Sequence, residues 1–274
     1  MMTAIRQLDG RKVGAWEAER DERPFCCPGC SEVVTLRRGG LIAPHFAHKP
    51  PVTCEYGTGE SEEHRRCKIA IYEALLPHTL VRKCEMERDL GAVRPDVSAY
   101  INNVPVAIEV QASNLTLEKI RRRTEEYARR GIYVLWLPIY KESLKAELYA
   151  PRPFERWLHE AYFGRVYYWV EGLRIQPVHF RDYLTRVRGR TKDYEKLSNR
   201  KVPIDGEPCS LVEDFMPVER DAWARDFIRI PQAKLFIDKQ PGWYEDAALR
   251  SLHARRTSAQ RGAWSPARRQ RRAG

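Results

Sequence analysis

Arg94-Pro95-Asp96-Val97-Ser98-Ala99-Tyr100-Ile101-Asn102-Asn103-Val104-Pro105-Val106-Ala107-Ile108-Glu109-Val110-Gln111 reads as two apolar, β-branched runs folded about an Asn-Asn pair. A two-residue turn at Asn102-Asn103 sets Asp96 opposite Glu109. Like charges directly across a strand pair are destabilising, and both acids stand among apolar neighbours, so a cation is expected to compensate them. Gln111 falls on the face of Glu109 because strand side chains alternate. The resulting oxygen-rich cluster suits a hard divalent metal, the footprint of metal-dependent phosphodiester chemistry. The bland alternative is two carboxylates on a solvated face, which a three-residue loop would produce by flipping the register.

Working outward, the 274 residues suffice for one large domain or two modest ones with a sizeable core. No apolar run is long enough to span a bilayer, and Met1-Met2-Thr3-Ala4-Ile5-Arg6-Gln7 is no apolar signal segment, so the expectation is a cytoplasmic protein without a membrane partner. Seven unevenly spaced cysteines fit reduced thiols and metal ligation better than a disulfide frame. The net charge of +11 is concentrated at the end: residues 250–274 hold eight arginines and no acid, leaving +3 for the rest. This segment reads as a disordered basic arm that neutralises phosphates, or as a solubilising tail.

In the first sixty residues, Cys27-Pro28-Gly29-Cys30 precedes His45-Phe46-Ala47-His48 by a spacer of fourteen residues. Two close pairs around a loop suit tetrahedral Zn2+, which would stabilise a segment too small to hold a core alone. The expected ligands are Cys27, Cys30, His45 and His48, with Cys26 and Cys54 as competitors. Val33 to Gly40 reads as the strand and turn between the pairs.

Ser61-Glu62-Glu63 supplies a helix cap and first-turn acids, and Cys67, Ile71 and Leu75 recur at helical spacing up to Pro77. His64 and Lys68 are neighbours on one face of that helix, where they either point into a site or form a solvated rim. Leu80 to Leu90 reads as a strand carrying Glu85 and Glu87. Thr116 to Arg130 is an amphipathic helix with Leu117, Ile120 and Tyr127 toward the core and Gly131 as its stop, followed by a buried strand from Ile132 to Leu137. The order is αβββαβ.

The zinc pair, His-Phe-Ala-His, Glu-x-His-x-x-x-Lys, Arg-Pro-Asp-Val, Ile-Glu-Val-Gln-Ala-Ser and the Arg-to-Tyr helix occur in one order over residues 20–185, and together resemble the competence protein CoiA-like family. The resemblance implies an α/β fold with a restriction-endonuclease-like αβββαβ core and mixed sheet, of the PD-(D/E)XK type. It also implies a small N-terminal zinc-ribbon-like module. Carried over by position, Asp96 and Glu109 would bind Mg2+ or Mn2+, His64 and Lys68 match the helix motif, and Glu85 or Glu87 would be the first-strand acid, with Glu87 preferred. Arg123 and Tyr127 would support the site or contact phosphate. Gln111 takes the place usually held by lysine; an amide orients or ligates but carries neither proton nor charge. Lysine's role would pass to Lys68, and His64 would take a proton from the attacking water.

The expected division is 1–58 zinc-finger-like segment, 59–150 nuclease-like core, 151–249 helical, aromatic C-terminal extension and 250–274 basic disordered tail. Phe154, Trp157, Tyr162, Phe163, Tyr167, Tyr168 and Trp169, interleaved with Arg152, Arg156, Arg165 and Arg174, read as core or as a base-stacking platform. His159 and His179 read as ordinary. A boundary falls near 185–208, and the segment with Trp223, Phe227, Phe236 and Trp243 is expected to be helical. Two functions follow. One is a metal-dependent nuclease acting on single-stranded or branched DNA in recombination, repair or uptake. The other is a non-catalytic DNA-binding accessory to recombination proteins.

Overall fold

The computed structural model describes residues 1–240 apart from 41, 55, 57–59, 113–114, 189–192 and 226–227. The chain divides into a unit Met1–Asp238, which holds every element below, and a unit Lys239–Gly274. The basic tail 250–274, Phe227 and Trp243 lie outside the described residues.

The N-terminal strands β1 (Thr3–Arg6), β2 (Lys12–Gly14), β3 (Phe25–Cys26), β4 (Val33–Arg37) and β5 (His45–Ala47) make one sheet in the order β2-β1-β3-β4-β5. Its small core is Phe25 against Phe46, with ring centroids 5.0 Å apart, together with Val34 and Leu36. The alternation in β4, whose Val34 and Leu36 are buried and whose Val33, Thr35 and Arg37 are exposed, is the period-two signature of a half-buried strand.

Helix α1 (Glu62–Leu75) starts where Ser61 caps it, its side chain accepting from the His64 amide at 3.2 Å. It leads into β6 (Val81–Met86), β7 (Val97–Ile101) and β8 (Val104–Gln111). Val97 pairs with Ile108 and Ile101 with Val104, the register expected from a two-residue turn. Asn102 and Asn103 both have positive φ, 50° and 67°, which fits the hairpin turn whose twist matches the strands it joins. Helix α2 (Leu117–Arg129) and β9 (Tyr133–Pro138) follow, and β8 and β9 are parallel, as a crossover through a helix requires. Leu117, expected in the core, is at the surface; Ile120, Thr124 and Tyr127 form the buried stripe of α2.

Beyond α3 (Pro153–Ala161) the helical expectation is corrected. The chain runs through β10 (Val166–Glu171), β11 (Arg174–Val187), β12 (Tyr194–Asp205), β13 (Cys209–Ser210), β14 (Phe215–Arg220), β15 (Trp223–Arg225), β16 (Ile228–Ile230) and β17 (Ala233–Asp238). The aromatics there are spread through short, β-branched, turn-bounded runs, so they line strands rather than a helix face. Strand β17 pairs parallel with β9 and antiparallel with β14, completing a mixed six-stranded sheet in the order β14-β17-β9-β8-β7-β6. Val134, Leu135, Trp136 and Leu137 of β9 are all buried, as expected of an interior parallel strand covered on both faces. Most of the aromatic set is core: Trp157, Tyr162, Tyr167 and Tyr168 are fully buried. No helix among the described residues is long and apolar enough to cross a membrane.

Candidate functional site

A cleft of about 520 Å³ opens where α1, α2 and the β7–β8 hairpin meet, lined by Glu60, His64, Lys68, Glu87, Asp96 and Glu109, with Gln111 and Arg123 at its wall. Asp96 sits just before β7, within reach of both neighbours: its Oδ2 accepts from the Val110 amide at 2.9 Å and contacts His64 Nε2 at 3.0 Å. The facing carboxylates each have their own cation, Lys68 at Asp96 and Arg123 at Glu109. The Lys68 ammonium lies 2.6 Å from Glu60, 2.7 Å from Glu87 and 3.1 Å from Asp96, and only 2% of its side chain is exposed.

Glu87, not Glu85, faces the cleft. Both its oxygens are engaged, accepting from the amides of Met2 and Thr3 at 3.0–3.1 Å, from Thr3 Oγ1 at 2.9 Å and from Lys68. Glu85 turns away to Lys12 at 2.9 Å and is nearly half exposed. Glu87 lies just past the end of β6 at Met86, with φ at 50°, so the alternation that puts residues two apart on one face has stopped there. Glu109 is held by Arg123, whose Nε donates at 3.1 Å, and by the Tyr127 hydroxyl.

Burial penalises every charge here, and the partners decide which way each group moves. For Lys68, burial works downward, but Glu87, Asp96 and Glu60 carry its pKa above the usual lysine range. Burial alone would raise Asp96 and Glu87, yet Lys68 holds both well below the carboxylate range, helped by His64 at Asp96 and by Arg94 at Glu87. The His64 imidazole is favoured as the cation by Asp96 despite its desolvation. Glu109 goes the other way: burial, with the nearby charge of Asp96, lifts it above its ordinary value in spite of Arg123. Glu60, His64 and Asp96 each present a ligand atom within 4.8 Å of the others, a set able to hold a metal ion. The expected cofactor pair, Asp96 and Glu109, shares the cleft, but the close donor set joins Asp96 to Glu60 and His64.

Glu60 is the residue the sequence reading missed. Its signal is the run Glu60, His64, Lys68 at intervals of four, hidden because Glu60 precedes the Ser61 cap and so stands outside the helix. Arg94 was also passed over. Its guanidinium stacks 3.5 Å from the Tyr56 ring centroid and lies 3.8 Å from Glu87, and its buried Nη1 has no hydrogen-bond acceptor among the described residues.

A second cluster lies in the N-terminal sheet. Cys27, Cys30, His48 and Cys54 bring four ligand atoms within 4.8 Å of one another, a group that can hold a metal ion. Cys27 and Cys54 sulfurs are 3.8 Å apart, and Cys30 Sγ is 3.3 Å from His48 Nε2. This corrects the expected set: Cys54 takes the place given to His45, whose Nδ1 instead lies 3.0 Å from the Ala43 carbonyl. His45 opens the three-residue strand β5 and His48 directly follows it, and in extended chain residues three apart point to opposite faces, which separates the pair. Cys26 belongs to β3, ahead of the turn that carries Cys27 and Cys30. In that turn Gly29 is required, because a Cβ there would stand 2.7 Å from the Tyr56 ring. The two histidines read as ordinary form a pair, His159 Nε2 lying 3.1 Å from His179 Nδ1, and burial pushes His159 down to about 3.

Two family models match consecutive parts of the chain: the competence protein CoiA N-terminal domain over residues 8–57 and the competence protein CoiA nuclease-like domain over residues 60–156. Competence protein CoiA of Bacillus subtilis is 31% identical over 130 residues, 47% of this chain. That match spans 35% of the relative's length. No solved structure gives a significant match.

Proposed function

Since this chain belongs to the competence protein CoiA family, we propose that it is a metal-dependent nuclease with a restriction-endonuclease-like core, hydrolysing phosphodiester bonds in single-stranded or branched DNA. The observation that carries this reading is the convergence of Glu60, Glu87 and Asp96 on one buried lysine, with His64 and Glu109 lining the same solvent-reachable cleft. Four acids at one spot are costly to desolvate, and groups with strongly displaced pKa values gather where chemistry is done.

Glu60, His64 and Asp96 would hold Mg2+ or Mn2+; the carboxylates suit either ion and the imidazole favours manganese. The ion would supply Lewis-acid charge at the phosphate and an acidified water. Lys68, kept protonated by its three carboxylates, offers positive charge to the pentacoordinate transition state. Gln111 can orient a water or an oxygen but not transfer its proton. His64 would serve as a base only in a state where it does not hold the ion and has surrendered the proton it shares with Asp96. Arg94 lines the cleft and would offer its guanidinium to a phosphate oxygen. For the N-terminal cluster we read structural zinc. A tetrahedral ion with Zn–S bonds near 2.3 Å spaces its sulfurs by about 3.8 Å, and the Cys27–Cys54 separation is 3.8 Å.

The second reading, a non-catalytic DNA-binding accessory, is favoured by one observation. Glu87, Asp96 and Glu109 each already have a cation, so the network is balanced without a metal. Labelled single-stranded, duplex and branched DNA incubated with magnesium or manganese against EDTA separates the two. Cleavage abolished by EDTA and by Asp96→Ala/Glu109→Ala supports the nuclease; binding without cleavage in any metal supports the accessory role.

A further inference from the structure

The positive charge outside the tail is not spread over the fold. Residues 181–201 hold eight basic and three acidic side chains, a net +5, whereas residues 1–249 as a whole carry +3, so the remainder is slightly negative. Residues 181–187 and 194–201 of this segment form the outer part of the β11–β12 ribbon. There Leu184 pairs with Leu197 on one face and Val187 with Tyr194 on the other, because residues three apart in a strand point oppositely. Leu184, Leu197 and Tyr194 are 52–55% exposed and Tyr183 is 38% exposed. An isolated two-stranded ribbon is marginal in water; although its directly paired charges, Asp182 with Lys201 and Arg186 with Glu195, are of opposite sign, this one carries a basic surplus and leaves apolar side chains uncovered on both faces. Neither feature helps folding, and both suit a polyanion with apolar edges.

We propose that the β11–β12 ribbon is a binding arm for duplex DNA, seated in a groove with its basic side chains on the two phosphate rows. A two-stranded ribbon fits the major groove, about 12 Å wide. The duplex is favoured over a single strand because both faces of the ribbon carry basic and apolar residues: Arg186 lies with Leu184 and Leu197, and Lys196 lies with Tyr194. A groove presents walls to both faces, whereas a lone strand would cover one. No described residue of the ribbon lines the cleft.

The test uses the full-length chain, with fluorescence anisotropy on a labelled duplex across a salt series, comparing wild type with Arg181→Gln/Arg186→Gln/Lys196→Gln/Arg200→Gln. These side chains are exposed, and a circular dichroism melt checks that the fold is kept. The expected result is at least a tenfold loss of affinity at low salt, with the slope of log K against log salt shrinking by up to about 3–4 units. Lys196 should also be protected from acetylation by duplex in the wild-type protein. Unchanged affinity and slope with Lys196 fully reactive would overturn the proposal. So would a ribbon variant that loses binding to anionic vesicles but not to duplex. Metal-dependent cutting is read in a separate assay, so a protein that binds duplex through the ribbon without cleaving it fails the cleft reading alone.

Discussion

Lys68 is the side chain on which the cleft's charge balance turns. One ammonium, 2% exposed, serves three carboxylates, and removing it would leave them buried against one another. Lys68→Met is expected to destabilise the protein by about 3–5 kcal/mol in urea unfolding, the usual cost of breaking a buried ion pair from one side. The pH profile follows from the signs of the shifts. Glu87 and Asp96 are depressed below their ordinary values of 4.5 and 3.8, so the stability they bring is present above those values and lost as pH falls through the folded ones. His64 is raised above 6.5, so its contribution is present below 6.5 and lost as pH rises through its folded value. Glu109, also raised, slopes the same way as His64 from a lower starting point. With EDTA present, the urea midpoint is expected to fall as pH rises above about 6.5, and His64→Gln should flatten that limb. A profile unchanged by His64→Gln would remove His64 from the balance.

At the level of elements, local rules and long-range ones part company. The Ser61 cap, the Asn102-Asn103 turn and the period of α2 were readable because each is set by residues within four positions of one another. The Cys27-Cys30 turn was readable for the same reason. Its partners were not, because the loop from β5 to α1 decides whether Cys54 or His45 arrives. Metal analysis of purified variants tests the outcome: Cys54→Ala is expected to lower the metal content and the thermal midpoint, while His45→Ala keeps both. The reverse result would restore the histidine pair. Glu60 belongs with Cys54, since it too is brought to its site from outside a periodic element.

For the whole molecule, the sheet that carries the cleft is closed by a strand from the far end of the unit. Strand β17 lies beside β9, and its last residue, Asp238, meets Arg165 in an ion pair with neither side chain exposed. The Asp238 amide also donates to the Tyr167 hydroxyl at 3.1 Å. Asp238→Ala would leave the Arg165 guanidinium buried without its carboxylate and is expected to cost about 3–5 kcal/mol. Urea unfolding followed by tryptophan fluorescence measures it; a loss below about 1 kcal/mol would mean that β17 is held by its ladder and apolar side chains instead.

The amino-acid sequence determined the order αβββαβ, the hairpin register, the helix caps and the presence of acids, a lysine and a histidine on converging elements. These follow from periods of two and 3.6 residues and from turn chemistry, which act over a few positions. Only the tertiary structure decided that Glu60 and Arg94 join the cleft, that Cys54 displaces His45, that Glu87 rather than Glu85 turns inward, and that β17 completes the sheet. Those outcomes depend on where chain segments distant in sequence return, and the free energy that chooses among them is the burial and pairing of groups that no local pattern brings together.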